Sequence, residues 1–188
     1  MEFYELYNGD LRIQETDEPV WGQSYDIIVA GSGSSGTYCA LSAAKEGRNV
    51  LLLEKTRWCG GMHIQGLVNG YYFGGRGGLY EETDKKTAAL AGELFYDMAD
   101  AKRLVVGEIL EENGIEVSTS SIVVGLYAES SRVIGVRACL GTKVTDIKCS
   151  MLVDATSDGH LLRLLPVRTF IGRATDNGVQ PFSSVRSV

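Results

Sequence analysis

The chain has 188 residues with 18 basic and 24 acidic side chains, a net charge of −6, which argues against nucleic-acid binding driven by bulk charge. At 44% hydrophobic and 22% charged, its composition is that of a folded globular domain and excludes a disordered segment. Glycine is over-used at 23 of 188 residues, against a usual share of about 7%, and much of it falls between Ala30 and Leu79, where the chain needs bare backbone.

No apolar run approaches the roughly 18 residues of a membrane helix. The N-terminal MEFYELYNGD also lacks the basic-then-apolar order of a signal peptide, so a soluble, cytoplasmic protein is expected. Cys39, Cys59, Cys139 and Cys149 show no CxxC pair or metal-ligand spacing and read as thiols, mostly buried. His63 and His160, the two histidines, are too few for a His-rich metal site.

Residues 1–24 are polar and aromatic without a sustained period, and read as an N-terminal extension on a domain covering 25–188. Residues 25–30 form a short apolar run ended by glycine, the pattern of a strand buried on both faces of a parallel sheet. From 36 to 46, Tyr38, Ala40, Leu41 and Ala44 recur at helical spacing until Gly47 stops the helix. Residues 49–54 are a second buried strand ending in an acid. Strand, glycine turn, helix and strand within 30 residues make a βαβ unit.

A long glycine-rich stretch follows, carrying Tyr71, Tyr72, Phe73 and Tyr80, and loops of that length are usually functional. Next come one or two amphipathic helices over 86–112. The charge run 81–86 reads as a solvated loop and helix start. After the helix stop at Asn113-Gly114, the β-rich runs 115–117, 122–126, 133–138 and 143–149 predict an antiparallel meander inserted over 115–149. Residues 150–155 return to a buried, parallel-type strand.

Gly31-Ser32-Gly33-Ser34-Ser35-Gly36 is a GxGxxG run between a buried strand and a helix. The first glycine permits the tight turn, the second lets backbone approach a pyrophosphate, and the third lets the helix pack closely on the strand. The helix N-terminus offers free N–H groups and its positive dipole end to phosphate. Glu54, 23 residues past Gly31, stands where a carboxylate accepts hydrogen bonds from ribose hydroxyls. These features suit a nicotinamide or a flavin dinucleotide alike.

Further segments resemble those of FAD-dependent oxidoreductases: Cys59-Gly60-Gly61-Met62 five residues beyond Glu54, then Gly66-Leu67-Val68-Asn69, and Val153-Asp154-Ala155-Thr156-Ser157-Asp158-Gly159. Ile171-Gly172-Arg173 and Gly178-Val179-Gln180-Pro181 resemble that family's Gly-Arg and Gln-Pro elements. The resemblance implies a Rossmann-like α/β FAD/NAD(P)-binding domain with a parallel sheet, an architecture shared with the fumarate reductase and glutathione reductase flavoproteins. It implies FAD as cofactor and hydride transfer from a small-molecule substrate to the flavin.

Carried over, Gly31, Gly33, Ser34, Ser35 and Gly36 would hold the pyrophosphate and Glu54 the ribose. Lys55 and Thr56 would sit near the adenosine, and Gly60, Gly61 and Met62 near the flavin end. Asp154, Ala155 and Thr156 would pass beside the cofactor. Ser157 departs from the family's glycine, which puts positive φ at that turn in question. Such enzymes continue into a substrate domain absent here, so a second polypeptide completing the site, or a shortened chain, is expected. A nicotinamide-dependent dehydrogenase domain and a non-catalytic dinucleotide-binding subunit are the alternatives.

The catalytic residues are not named by the sequence. His63, beside the Gly-Gly-Met turn, is the weak candidate, set against a loop histidine with an ordinary hydrogen bond. Cys59 lacks a resolving partner and reads as packing, and His160 reads as structural. The aromatic group of the glycine-rich stretch suits either a cavity wall or packing. Arg76 reads as a surface ion pair and Arg173 as a grip on a carboxylate or phosphate.

Overall fold

Asn8-Gly9 has the residue types that a two-residue hairpin turn requires. Both residues take positive φ, 51° and 91°, and join β1 (Glu2–Tyr7) to β2 (Asp10–Glu15). The structure is a computed structural model that describes residues 1–68, 75, 77–94, 97–169, 172, 173, 175, 176 and 178. In it the expected N-terminal extension is part of the sheet, because β1 pairs antiparallel with a distant strand over residues 125–128. Phe3 stacks on Tyr127 at 4.7 Å. Gly125 leaves the room, since a Cβ there would stand 2.3 Å from the Phe3 ring.

The βαβ unit forms as its pattern predicts. β3 (Gln23–Ala30) leads through the glycine turn into α1 (Ser34–Lys45), and β4 (Val50–Leu53) lies parallel to β3. Alternation along these strands sends side chains to two opposite cores. Ile28, Leu51 and Leu53 face one cluster with Leu126, Val136 and Ile147. Val29 and Leu52 face another with Leu41 of α1. All of these are essentially fully buried, and each contributes about 2 kcal/mol.

Two helices follow, α2 (Gly78–Leu94) and α3 (Met98–Glu112), the latter capped by the Asp97 carboxylate on the Ala99 N–H at 2.7 Å. The charge run 81–86 is therefore inside α2 and not a loop. Its apolar signal is weak because the inner face carries Thr83 and Thr87, whose hydroxyls donate to the carbonyls of Leu79 and Thr83. Buried Lys102 of α3 pairs with Asp84 of α2. Gly114, at φ 65°, ends α3 as expected.

The remaining strands are β5 (Glu116–Ser118), β6 (Ser121–Glu129), β7 (Arg132–Leu140) and β8 (Lys143–Asp154). Residues 115–117, expected in the meander, instead contribute to β5, which lies parallel to β4 at the sheet edge. The two expected runs 143–149 and 150–155 are one strand. The N-terminal half of β8 pairs antiparallel with β7 and its C-terminal half parallel with β3. One eight-stranded sheet results, in the order β2-β1-β6-β7-β8-β3-β4-β5, an α/β fold in which meander and parallel layer are continuous. No helix among the described residues is long and apolar enough to cross a membrane.

Candidate functional site

The C-terminal ends of β3, β4 and β8 meet at one edge of the parallel layer, where open α/β sheets place their ligands. Gly31 leaves β3 at φ 96°, and a Cβ there would lie 2.6 Å from the Ala155 carbonyl oxygen. A Cβ on Gly36 would come within 1.8 Å of the Gly31 carbonyl oxygen. Protein packing alone therefore requires both glycines. Gly33 differs: a Cβ there meets nothing within 4 Å, and its φ of −64° suits any residue. Its bare backbone opens on a cavity of about 480 Å³, a size typical of small-molecule sites.

α1 begins at this cavity without a side-chain cap and without an acid in its first turn, so its N–H groups and dipole are available to an anion. Gly31, Gly33, Ser34 and Ser35 line the cavity on this side. Glu54, Lys55, Thr56, Gly61, Met62, Ala155 and Thr156 line it elsewhere. Of the residues singled out in the sequence, Gly36 and Gly60 stand behind the wall. Gly60, at φ 105°, packs on Ile64 and donates its N–H to the Ser32 carbonyl at 2.7 Å. Gly61 presses on Gly33, where an added Cβ would lie 2.8 Å from the Gly33 Cα.

Glu54 is buried, 6% exposed, and held by four donors. Ser32 gives its N–H and hydroxyl to Oε2 at 2.9 and 2.7 Å, and Thr56 gives both to Oε1 at 2.8 Å. Burial pushes the carboxyl pKa up, but these hydrogen bonds outweigh it and keep the pKa below its ordinary value. Asp154 repeats the device at the end of β8: Thr156 donates its N–H and hydroxyl to Oδ1, and Leu161 its N–H to Oδ2. Asp154 thus anchors a turn and does not line this cavity, while Ala155 and Thr156 do.

The structure also adds residues that the sequence did not single out for the site. Ser121, Ile122 and Val123 of β6 form a wall, because the backbone of Glu54 bonds to Ser118 and Ser121 on either side of the β5–β6 turn. Gln65, Ser157, Asp158 and His160 also line the cavity. No short motif marks the β6 residues, whereas Asp158 and His160 lay within or beside a segment already noted. Ser157 does not adopt positive φ, and Gly159 supplies it at 63°, so serine fits this turn without strain. His160 Nε2 bonds the Val123 carbonyl at 2.8 Å, in keeping with a structural role.

His63 is not at the cavity. Its Nδ1 faces the Val68 carbonyl at 2.8 Å and its Nε2 the Tyr80 hydroxyl at 3.1 Å. A carbonyl only accepts, so Nδ1 carries the proton and Nε2 accepts from Tyr80. With both nitrogens used, His63→Ala is expected to lower stability by about 1 kcal/mol. Acid precipitation of the loaded protein is expected to leave a colourless pellet; a yellow pellet that His63→Ala turns colourless would overturn the structural assignment.

Tyr80 packs against Tyr38 and His63 and does not line this cavity. Tyr71, Tyr72, Phe73, Arg76, Gln180 and Pro181 lie outside the described residues. Arg173 is exposed and forms a paired grip on Asp176 at 2.6 and 3.1 Å. All four cysteines are free, Cys149 buried and the other three half-buried, so the expectation of mostly buried thiols holds only for Cys149. Burial pushes the Cys59 thiol pKa up, which suits packing and not redox attack. No cluster of metal-ligating side chains occurs among the described residues.

The chain is 60% identical over 38 residues to a vinyl phenol reductase of Lactiplantibacillus plantarum, a match covering 20% of this chain and 8% of that protein. It is 45% identical over 40 residues to a 3-oxosteroid 1-dehydrogenase of Mycolicibacterium smegmatis, covering 21% of this chain and 7% of that protein. The fold is similar to that of 3-ketosteroid-Δ4-(5α)-dehydrogenase from Rhodococcus jostii RHA1, with TM-score 0.53 and 16% identity, over 72% of this chain and 46% of the other. The matched part is thus less than half of each relative. The FAD dependent oxidoreductase family profile extends over residues 26–188, taking in the C-terminal part of β3, the glycine turn, β4, β6 and β8. The chain therefore belongs to the FAD dependent oxidoreductase family, and its cofactor is FAD.

Proposed function

We propose that this chain is the FAD-binding part of a longer or two-chain oxidoreductase that passes a hydride between a small-molecule substrate and the flavin. The observation that carries the reading is Gly33, a glycine with no protein atom to avoid, set at an uncapped helix N-terminus on the cavity. Gly31, Gly33, Ser34, Ser35 and Gly36 shape the pyrophosphate cradle, and Glu54 takes the adenosine ribose, with Lys55 and Thr56 beside it. Gly60, Gly61 and Met62 run toward the flavin end, and Ala155 and Thr156 close the side formed by β8. FAD, when bound, supplies the two-electron chemistry.

The chain's own residues bind, orient and shelter. Among the described residues the cavity wall holds no paired acid and base poised for proton transfer: His160 is tied to the Val123 carbonyl, and Glu54 is held ionised by its donors. In this reading, substrate selection and any proton transfer fall to groups outside the described cavity wall, a further polypeptide segment or partner chain among them. Native mass spectrometry of the purified, untagged protein tests this. A complex containing the mass of FAD and a second polypeptide is expected. A bare chain that takes up no added FAD would overturn the reading.

A further inference from the structure

The reading of Glu54 as the ribose acceptor meets a difficulty of supply. A carboxylate has about four lone-pair sites, and Ser32 and Thr56 already direct four donors at Glu54. An incoming ribose hydroxyl must replace one of them. Ser32 is fully buried and absent from the cavity wall, whereas Thr56 lines it.

Thr56 has the means to give way. Its hydroxyl carries one proton and reaches two acceptors, Glu54 Oε1 at 2.8 Å and the Trp58 carbonyl at 3.1 Å. Gln65 Nε2 donates to Thr56 Oγ1 at 2.6 Å and to the Trp58 carbonyl at 2.9 Å, holding both oxygens in place whichever way the proton points. The otherwise matching Thr156 lacks this arrangement. Its hydroxyl donates to Asp154 and accepts from the His160 N–H, with no second acceptor in reach among the described residues.

Resting on the dinucleotide reading above, we propose that Thr56 is a positioning residue that stands in for a ribose hydroxyl. Its hydroxyl fills one hydrogen-bond position on Glu54 until the adenosine ribose arrives, then turns its proton to the Trp58 carbonyl and leaves Oε1 to the ribose. No bond breaks other than these hydrogen bonds. Glu54 stays ionised and fully satisfied throughout, which spares the buried charge an unpaired state in the free protein. The exchange also weakens binding, because Thr56 gives up a bond to a charged oxygen for one to a neutral carbonyl.

The sign of the effect distinguishes this role from a structural one. Titration of the flavin-free chain with FAD and with ADP is expected to show Thr56→Val binding both roughly five-fold more tightly than wild type, since the competing donor is gone. Its urea midpoint falls at the same time. Thr56→Ser restores wild-type values for both. An ADP analogue lacking both ribose hydroxyls binds wild-type protein within about three-fold of ADP, because Thr56 keeps its bond to Glu54; in Thr56→Val the gap widens to about ten-fold or more.

Gly33→Ala is the control for the dinucleotide reading. If Gly33→Ala abolishes binding but Thr56→Val binds no more tightly than wild type, the stand-in role is wrong and the dinucleotide reading survives. A loss beyond about ten-fold for the analogue on wild-type protein has the same meaning, and needs no variant to fold. If wild type binds neither FAD nor ADP, or Gly33→Ala binds them unchanged, the dinucleotide reading itself fails and takes the proposal with it.

Discussion

Gly36→Ala is expected to break the fold while Gly33→Ala, three residues away, leaves it standing and removes the cofactor. The Gly36 methyl would stand 1.8 Å from a backbone oxygen, that of Gly31, and 3.1 Å from the Ala155 Cβ. Neither neighbour is the flexible end of a long side chain, so β3 and α1 must separate, at a cost of about 3 kcal/mol or more. At Gly33 a methyl meets no protein atom, and the change of N-cap costs at most about 1 kcal/mol.

The Gly33 methyl does occupy the space through which a pyrophosphate approaches the backbone, and FAD affinity is expected to fall on the order of a hundred-fold, about 2.7 kcal/mol. Urea unfolding midpoints and FAD titrations of the two variants separate the effects. An unshifted midpoint for Gly36→Ala contradicts the packing argument. Unchanged FAD affinity in Gly33→Ala contradicts the placement of the phosphates.

Glu54→Gln is the second large effect. Each carboxylate oxygen faces a backbone N–H and a hydroxyl, so whichever way the amide turns, its NH₂ confronts the N–H of either Ser32 or Thr56. The least costly orientation faces Thr56, whose hydroxyl can turn its proton to the Trp58 carbonyl, and the one N–H left without a partner at a buried site, with the loss of the charged acceptor, costs about 1–3 kcal/mol. The pH dependence follows from the depressed pKa of Glu54. In the unfolded chain the group titrates near its ordinary 4.5, and in the folded protein lower. The stabilisation is fully present above the unfolded value and is lost as pH falls through the folded value. Wild type is therefore expected to lose stability on acidification below the ordinary carboxyl value of 4.5 more steeply than Glu54→Gln. Urea midpoints across that range measure it, and parallel slopes for the two proteins would show that the Glu54 carboxylate is not held in this way.

The hairpin of β1 and β2 escapes a reading of residues 1–24 as an extension without a period. Asn8-Gly9 is a hairpin signal, but nothing local says that β1 pairs with β6, some 120 residues onward. The start of α2 was hidden for a different reason. Thr83 and Thr87 satisfy their hydroxyls on carbonyls four residues back, so a buried helix face reads as polar. His63 shows the same limit at the site, since its place beside a glycine turn suggests cofactor contact until Tyr80, from another element, takes its second nitrogen.

What the sequence by itself determined is the βαβ corner. Residues 25–30 and 49–54 are apolar on both faces, the intervening glycines allow one tight turn, and the acid at Glu54 follows within the same unit, so neighbouring residues encode the strand, turn and helix directly. Tertiary structure alone decided that β5 lies parallel at the edge beside β4 and that β8 joins meander to parallel layer in one strand. It also decided that β6 walls the cavity and that Ser32 and Thr56 saturate Glu54. These outcomes depend on which segments bury one another and on which donor reaches a charge first. Both are set by pairings between parts of the chain that no local period or short motif records.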